Sequence, residues 1–183
     1  MILSLRQGVV LALAALAVFW MVGAYNRLVA LRNAVTQAWA KIDDSLRLRA
    51  AAGEPLLAAL RGPLASEQGA LDAMQAALAE AGKAAAAMTA RPLAADHAAA
   101  WVAAEAALSA AAARVFALFE HDAALRGAAG IAEPAAAWRE ASARLGFARQ
   151  LFNDEAAAYD DAIALFPTRL LAPMFRFRAA GRL

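Results

Sequence analysis

The sequence predicts an all-α fold: an antiparallel helical bundle of about four long helices, with a single transmembrane helix at the N-terminus that continues into the first bundle helix. Three observations lead to this prediction. Apolar residues make up 63% of the 183-residue chain, which is more than a soluble domain usually carries. Residues 7–26 contain no charged side chain. Large apolar residues then recur every seven positions, which is the spacing of helices packed nearly antiparallel.

The uncharged run from Gln7 to Asn26 predicts a membrane anchor, which we assign to residues 1–26. At a rise of about 1.5 Å per residue, the run is long enough to cross a hydrocarbon core about 30 Å thick. Aromatic rings near its far end suit the headgroup level of a bilayer. The residues expected to form the anchor are Gly8, Leu11, Leu13, Leu16, Phe19, Trp20 and Tyr25.

A cleaved signal peptide is the competing interpretation of this segment. Arg6 would be its charged region, residues 8–21 its apolar region, and Val22-Gly23-Ala24 its cleavage site. The mature chain would then begin at Tyr25. A helix buried in a soluble core is a third interpretation, and a long run that is apolar on all sides disfavours it.

No helix breaker follows the anchor, so the helix is expected to continue into a bundle domain, which we assign to residues 27–167. Its apolar residues form one stripe at spacings of three and four: Leu28, Leu31, Val35, Trp39, Ile42 and Leu46. The charged residues of this segment fall mostly off the stripe and are interpreted as a solvated face. Gly53-Glu54-Pro55 is expected to end the helix, because Pro starts helices readily and disfavours helical geometry in the residue before it.

Three more helices are predicted beyond that point. The second has the heptad row Leu57, Leu64, Leu71 and Leu78, with an expected kink at Gly62-Pro63. A turn at residues 89–92 precedes the third helix, whose row is Trp101, Leu108 and Val115. The segment GAAGIAEP predicts a flexible connection, after which Pro134 opens the fourth helix. The inward row of that helix is Trp138, Leu145, Phe152, Tyr159 and Phe166, and Pro167 is expected to end it.

Side chains that support catalysis or metal binding are sparse. The chain has no Cys, and neither His97 nor His121 follows the Glu-x-x-His pattern of a di-iron bundle. The acids of the fourth helix, Asp154, Glu155, Asp160 and Asp161, flank its apolar row and are interpreted as a polar surface. No glycine-rich phosphate loop occurs, and a net charge of +2 gives no bulk attraction to nucleic acid. We therefore expect no catalytic residue, metal, cofactor, small-molecule substrate or nucleic-acid partner.

The C-terminal tail, assigned to residues 168–183, interleaves basic and apolar side chains. This composition suits an anionic lipid surface, although Pro173 argues against one continuous amphipathic helix. The candidate contacts with lipid or a partner are Arg169, Phe175, Arg176, Phe177 and Arg178. The alternative is that Phe175 and Phe177 fold back onto the bundle while the tail arginines, which include Arg182, are solvated and meet no acid.

Two blocks of the sequence resemble the LemA family. The first, YNRLVALRNAVTQAWAKIDDSLRLRA, and the second, ARLGFARQLFNDEAAAYDDAIALFPTRLLAPMFRF, carry the family's aromatic and Asn positions. The motif residues with an expected structural role are Tyr25, Asn26, Trp39, Phe152, Asn153, Tyr159 and Pro167. The chain departs from the family pattern at Asp160, where Asn is usual, and after Arg49, where Pro55 is shifted by one place. The resemblance implies a membrane-anchored helical bundle, without established catalytic residues.

The leading functional hypothesis is a non-enzymatic interaction or scaffolding module on a single-pass anchor in the cytoplasmic membrane of a bacterium. Its partners would be the bilayer and either other proteins or further copies of itself. A lipid-surface-binding or membrane-shaping protein is the alternative, and an enzyme with a polar site near Asn153 and Tyr159 is a further one. Arg27, Arg32 and Lys41 follow the span whereas only Arg6 precedes it, which favours a cytoplasmic bundle.

Overall fold

The computed structural model describes residues 5–166 and 168–183, and the regular structure of these residues is entirely helical. The helices are α1 (Leu5–Leu60), α2 (Gln68–Ala90), α3 (Ala95–His121), α4 (Ala123–Gly127), α5 (Ala129–Ala164) and α6 (Thr168–Leu171), with a 3-10 turn at Ala65–Glu67. The described residues contain no β-strand. The predicted all-α bundle is therefore confirmed. Pro167, expected to end the fourth helix, and residues 1–4 of the assigned anchor lie outside the described residues.

The longest element, α1, joins the apolar N-terminal segment to the bundle without a break. It has 56 residues, which corresponds to a length of about 84 Å. The side chains of residues 6–20 are exposed, and burial begins at Leu28. Both α1 and α3 are long and apolar enough to cross a membrane by length and composition. However, α3 buries Trp101 and Leu108 in the bundle, whereas none of the apolar window of α1 is buried.

The bundle consists of two antiparallel helix pairs, α1 with α5 and α2 with α3. Along α1, Leu28 shares a cavity with Ala162, the Trp39 ring lies 6.2 Å from that of Phe152, and Gly53 contacts Trp138. The residue numbers on α5 fall as those on α1 rise, so the two helices run in opposite directions. We call the Leu28 level the near end of the bundle and the Leu60 level its far end.

The helices α3 and α5 do not pack closely against each other, and a gap lies between them. Within the described helices, no Cα atom of α3 lies within 8 Å of one in α5. Large side chains bridge the distance instead: Arg139 of α5 lies over the Phe116 ring at 4.9 Å, and Arg149 over the Trp101 ring at 5.4 Å. The gap forms a groove of about 610 Å³ along the bundle.

The predicted apolar rows form the core. At the near end, Val35, Trp39 and Ile42 of α1 are buried against Trp101, Phe152 and Tyr159. At the far end, Leu56, Leu60, Leu71, Met74, Leu108, Val115 and Trp138 form a second cluster. Leu31 and Leu46, which complete the predicted stripe of α1, are half-buried.

The break predicted at Gly53-Glu54-Pro55 is wrong, because α1 continues through Pro55 and ends at Leu60. A Cβ atom on Gly53 would lie 2.7 Å from Cζ3 of Trp138, so Gly53 permits the close approach of α1 and α5. Leu57 consequently belongs to α1. The helix ends just before Gly62-Pro63, where only a kink was expected.

The predicted start and end of the fourth helix also differ from the structure. The helix α5 begins at Ala129, with Pro134 inside it, and the short helix α4 occupies part of the expected connection. Asp122 caps α4, since its Oδ1 accepts a hydrogen bond of 2.8 Å from the backbone N of Ala124. Phe166 is 71% exposed although it was predicted to face inward, because α5 ends at Ala164 and the heptad register ends with it.

Candidate functional site

Residues from three distant parts of the sequence meet at the near end of the bundle. The ring of Tyr25 in α1 lies 4.9 Å from that of Phe175 and 5.9 Å from that of Phe177. Phe177 also lies 6.5 Å from Tyr159 of α5 and is buried. The tail therefore folds back onto the bundle through Phe177, which removes that residue from the candidate lipid contacts. Phe175 remains partly exposed.

Asn153 holds the end of the tail. Its side-chain Nδ2 donates to the main-chain oxygen of Leu183 at 2.7 Å, and its Oδ1 accepts from the backbone N of Leu183 at 2.9 Å. Arg182 donates to the backbone carbonyl of Asn153 at 2.7 Å. Both functional groups of the Asn153 side chain are thus used to bind backbone.

Asp160 provides a second attachment for residues 180–183, which we call the strap. Its Oδ1 accepts from the backbone N of Ala180 at 2.8 Å, and its Oδ2 accepts from Arg182 at 3.1 Å. The backbone N of Gly181 donates to the carbonyl of Leu93 between α2 and α3 at 3.2 Å. The expectations that Asp160 is simple polar surface and that Arg182 meets no acid are therefore both wrong. The sequence did not indicate these contacts, because Asp160 and Arg182 are far apart along the chain.

Replacing Asp160 with Ala is expected to lower the free energy of unfolding by about 1 to 2 kcal/mol, because the amide of Ala180 and the guanidinium of Arg182 lose their acceptor. Asp154→Ala is the matched control. Asp154 is exposed nearly two turns earlier on the same helix, and its loss should change stability by less than about 0.5 kcal/mol. Urea unfolding of the full chain in detergent, followed by circular dichroism, measures both. If both substitutions lower the free energy of unfolding equally, Asp160 does not hold the strap as described.

Tyr159 is buried beside Phe177 of the tail. Burial raises the pKa of its phenol; the Arg32 charge lowers it, Asp160 raises it, and a backbone hydrogen bond from Arg178 lowers it. Because the net shift is upward, the stability linked to this group is present below the usual pKa of about 10 and is lost as the pH rises through the higher folded value. Tyr159 is therefore a neutral hydrogen-bonding group at physiological pH.

A segment rich in exposed apolar side chains follows α5. We call its described residues, 165–166 and 168–175, the near-end loop. The large apolar side chains exposed in it are Leu165, Phe166, Leu170, Met174 and Phe175. Leu165 and Phe166 line a cavity of about 380 Å³ together with Trp20, Gly23 and Ala24 of α1. The loop therefore lies beside the exposed apolar part of α1.

A buried ion pair between α1 and α3 was missed by the sequence analysis. Arg49 Nη2 lies 2.6 Å from Glu105 Oε1, and the two side chains are 8% and 7% exposed. The guanidinium of Arg49 also lies 5.4 Å from the centre of the Trp138 ring. The sequence did contain a signal: Glu105 lies four residues after Trp101 and three before Leu108, on the inward row of its helix.

His97 braces the turn between α2 and α3. Its Nδ1 lies 2.8 Å from the carbonyl oxygen of Ala87, and its Nε2 lies 2.6 Å from Nη2 of Arg91. Since Arg91 can only donate, Nε2 accepts and Nδ1 carries the proton. Throughout the described part of the chain, no group of three or more His, Asp or Glu side chains is placed to hold a metal ion.

The fold and its near end define a class of protein: a helical bundle carried on a long apolar N-terminal helix, with its C-terminus strapped across the last long helix. The model of the LemA family matches residues 38–182, which include the greater part of the bundle and most of the strap. The chain therefore belongs to the LemA family, as its sequence motifs predicted. No curated protein and no solved structure matches it.

Proposed function

We propose that this LemA-family protein is a non-enzymatic interaction or scaffolding module that is seated on the cytoplasmic membrane of a bacterium by α1 and the near-end loop. The observation that carries the proposal is that these two exposed apolar surfaces lie side by side. Exposed apolar surface of this extent marks contact with a membrane or a partner. The positive charges after residue 26 favour the cytoplasmic side for the bundle.

The depth of the near-end loop in the bilayer follows from the residues of α1 that lie beside it. A hydrocarbon core that covers residues 7–26 has its boundary near Asn26. Leu165 and Phe166 share a cavity with residues 20–24, which lie on the hydrocarbon side of that boundary. The loop would therefore enter the same leaflet as the end of the span. Lipid contact is then made by the loop, which includes Phe175, while Phe177 remains in the core.

The polar groups of the near end support a structural rather than a catalytic role. The enzyme hypothesis requires a free polar site near Asn153 and Tyr159. The Asn153 amide instead holds the backbone of Leu183, and the neighbouring Asp160 holds Ala180 and Arg182. We also propose that the bundle contacts protein partners or further copies of itself. Among the described large apolar side chains, Phe147 on α5 is the most exposed, at 77%.

The proposed seating of the loop is tested with single cysteines, because the natural chain contains none. Leu170→Cys and Phe147→Cys are labelled with an environment-sensitive fluorophore, and the full chain is reconstituted into vesicles. We expect the label at 170 to show a blue-shifted emission and quenching by lipid-borne quenchers, since Leu170 belongs to the near-end loop. The label at 147 is the control, on an exposed position of α5 away from the loop.

Equal accessibility of both labels to a water-soluble quencher would contradict the proposed seating. Intact mass spectrometry of the reconstituted protein is part of the same experiment. A chain that begins at Tyr25 would lack the span and would support the signal-peptide alternative instead.

A further inference from the structure

A second cavity at the near end has four arginines among its lining residues. It has a volume of about 490 Å³ and lies between α1, the turn joining α2 to α3, and the tail. Its charged and ionisable lining residues are Arg32, Arg91, Asp96, Tyr159, Arg176 and Arg178. Four guanidinium groups thus face one carboxylate.

Three of these arginines have no counter-ion within the part of the chain that the structure describes. Arg32, Arg176 and Arg178 form no ion pair with a described residue. The one carboxylate, Asp96, already lies 4.0 Å from Arg91 and 3.9 Å from His97. Like charges around one cavity repel each other, and a bound anion would offset that repulsion by its attraction to each arginine.

The backbone of the tail places two of the arginines at this cavity. Arg176 has a φ of 57°, and it is the one non-Gly residue with positive φ among those described. The turn around it is held by a hydrogen bond of 2.9 Å from the backbone N of Phe177 to the carbonyl of Ala172. Phe177 enters the core, while Arg176 and Arg178 on either side of it both line the cavity. Strained backbone of this kind persists where the surrounding structure holds it and is concentrated at ligand sites.

We propose that this cavity is a phosphate-binding site, with Arg32, Arg176 and Arg178 as its charged donors. The guanidinium fork matches the oxygens of a phosphate, which it binds through paired, charge-assisted hydrogen bonds. Three unpaired positive charges suit a phosphate better than a single carboxylate, because a phosphate presents more oxygens and carries up to two negative charges. Tyr159 adds a neutral O–H donor, since its oxygen already accepts from the backbone of Arg178.

The position of the site on α1 favours a lipid as the source of the phosphate, and this assignment rests on the proposed function. Arg32 lies six residues beyond Asn26, which is about 9 Å along the helix axis. The headgroup layer of a bilayer is about 5 to 8 Å thick on each side of the hydrocarbon. The Cα atom of Arg32 would therefore lie just outside the headgroup layer, and its long side chain could reach back to a phospholipid phosphate. A soluble phosphate ester is the other source of the same chemistry.

The site itself is tested without a membrane. Inorganic phosphate is titrated into the full-length protein in a neutral detergent, and binding is followed by calorimetry at constant ionic strength. We expect saturable binding that weakens by at least about tenfold in Arg176→Gln/Arg178→Gln, because each lost arginine removes a charge-assisted bond to the phosphate. Arg114→Gln is the matched control, since Arg114 is an exposed arginine of α3 that does not line the cavity. Arg178→Lys should restore part of the affinity, and thermal unfolding verifies that each variant is folded.

The source of the phosphate is tested with nanodiscs of phosphatidylcholine, with and without phosphatidic acid. Tighter retention of phosphatidic acid by the natural chain than by the double variant would assign the site to a lipid headgroup. Phosphate binding in detergent without such a preference would assign it to a soluble ester. Absence of saturable phosphate binding, or equal binding by the double variant and Arg114→Gln, would overturn the site. Neither of those results would touch the proposed seating, which the labels at positions 170 and 147 test separately.

Discussion

Glu105→Ala is expected to lower the free energy of unfolding by about 3 to 5 kcal/mol, because it leaves the charge of Arg49 buried without a partner. The ion pair is short and almost completely removed from solvent. No neighbouring carboxylate replaces Glu105 in the described structure, since Arg49 forms no second ion pair there. Equilibrium unfolding of the full chain in detergent, followed by circular dichroism, measures the loss.

Two controls separate the ion pair from the loss of a side chain in general. Glu140→Ala breaks an exposed pair with Arg144 on α5 and should cost less than about 1 kcal/mol. The double replacement Arg49→Met/Glu105→Leu removes both charges and should recover most of the stability lost in Glu105→Ala. If Glu105→Ala is as stable as the natural chain, Arg49 reaches solvent and its ion pair with Glu105 is not buried in solution.

Trp39→Ala is the second substitution with a large expected effect, about 3 to 5 kcal/mol. The indole is buried and meets Trp101 edge-on at 5.5 Å, with Phe152 at 6.2 Å. Its Nε1 also donates to Oγ1 of Thr89 at 3.0 Å. Removing the ring leaves a cavity where α1, α2, α3 and α5 all contribute side chains, so the loss is expected to appear as a lower midpoint in the same unfolding experiment.

Trp39→Phe separates the contribution of the ring's apolar volume from that of the hydrogen bond to Thr89. It keeps most of the apolar volume but removes the donor to Thr89, and we expect it to cost roughly 1 to 2 kcal/mol. If Trp39→Ala and Trp39→Phe are equally mild, the ring does not fill the core in solution. A partner contact would then be the better explanation for this motif residue.

The inward rows could be predicted from the sequence because helical periodicity alone decides which residues share a face. Trp39, Trp101 and Trp138 are accordingly all buried. Helix ends were harder to predict, because local signals compete with packing. Pro55 removes one backbone hydrogen bond, a local cost of about 3 kcal/mol, yet Leu56 and Leu60 on the same turns are buried in the far-end core. The stabilisation from burying Leu56 and Leu60 outweighs this cost, so the helix continues where Gly53 and Pro55 indicate a break.

The near-end site was less predictable, for a different physical reason. The strap is held mainly by hydrogen bonds between its backbone groups and the side chains of Asn153 and Asp160. Any residue supplies such backbone groups, so the partners leave no pattern in the sequence. The basic cavity likewise combines Arg32 with Arg176 and Arg178, whose proximity depends on how the tail turns back. Glu105 is the exception, because a charge on an apolar row already indicates a buried partner.

In the proposed seating, the continuous course of α1 would make the orientation of the bundle depend on the bilayer. About 50 Å of helix separates Asn26 from Leu60, and α1 is one continuous helix over this length, with Pro55 close to its far end. If the span tilts by about 20°, as transmembrane helices do on average, the far end is displaced sideways by roughly 17 Å. Tilt depends on the match between span length and hydrocarbon thickness. A small change in bilayer thickness would thus be amplified into a large movement of the far end, as by a lever whose fulcrum is the near end.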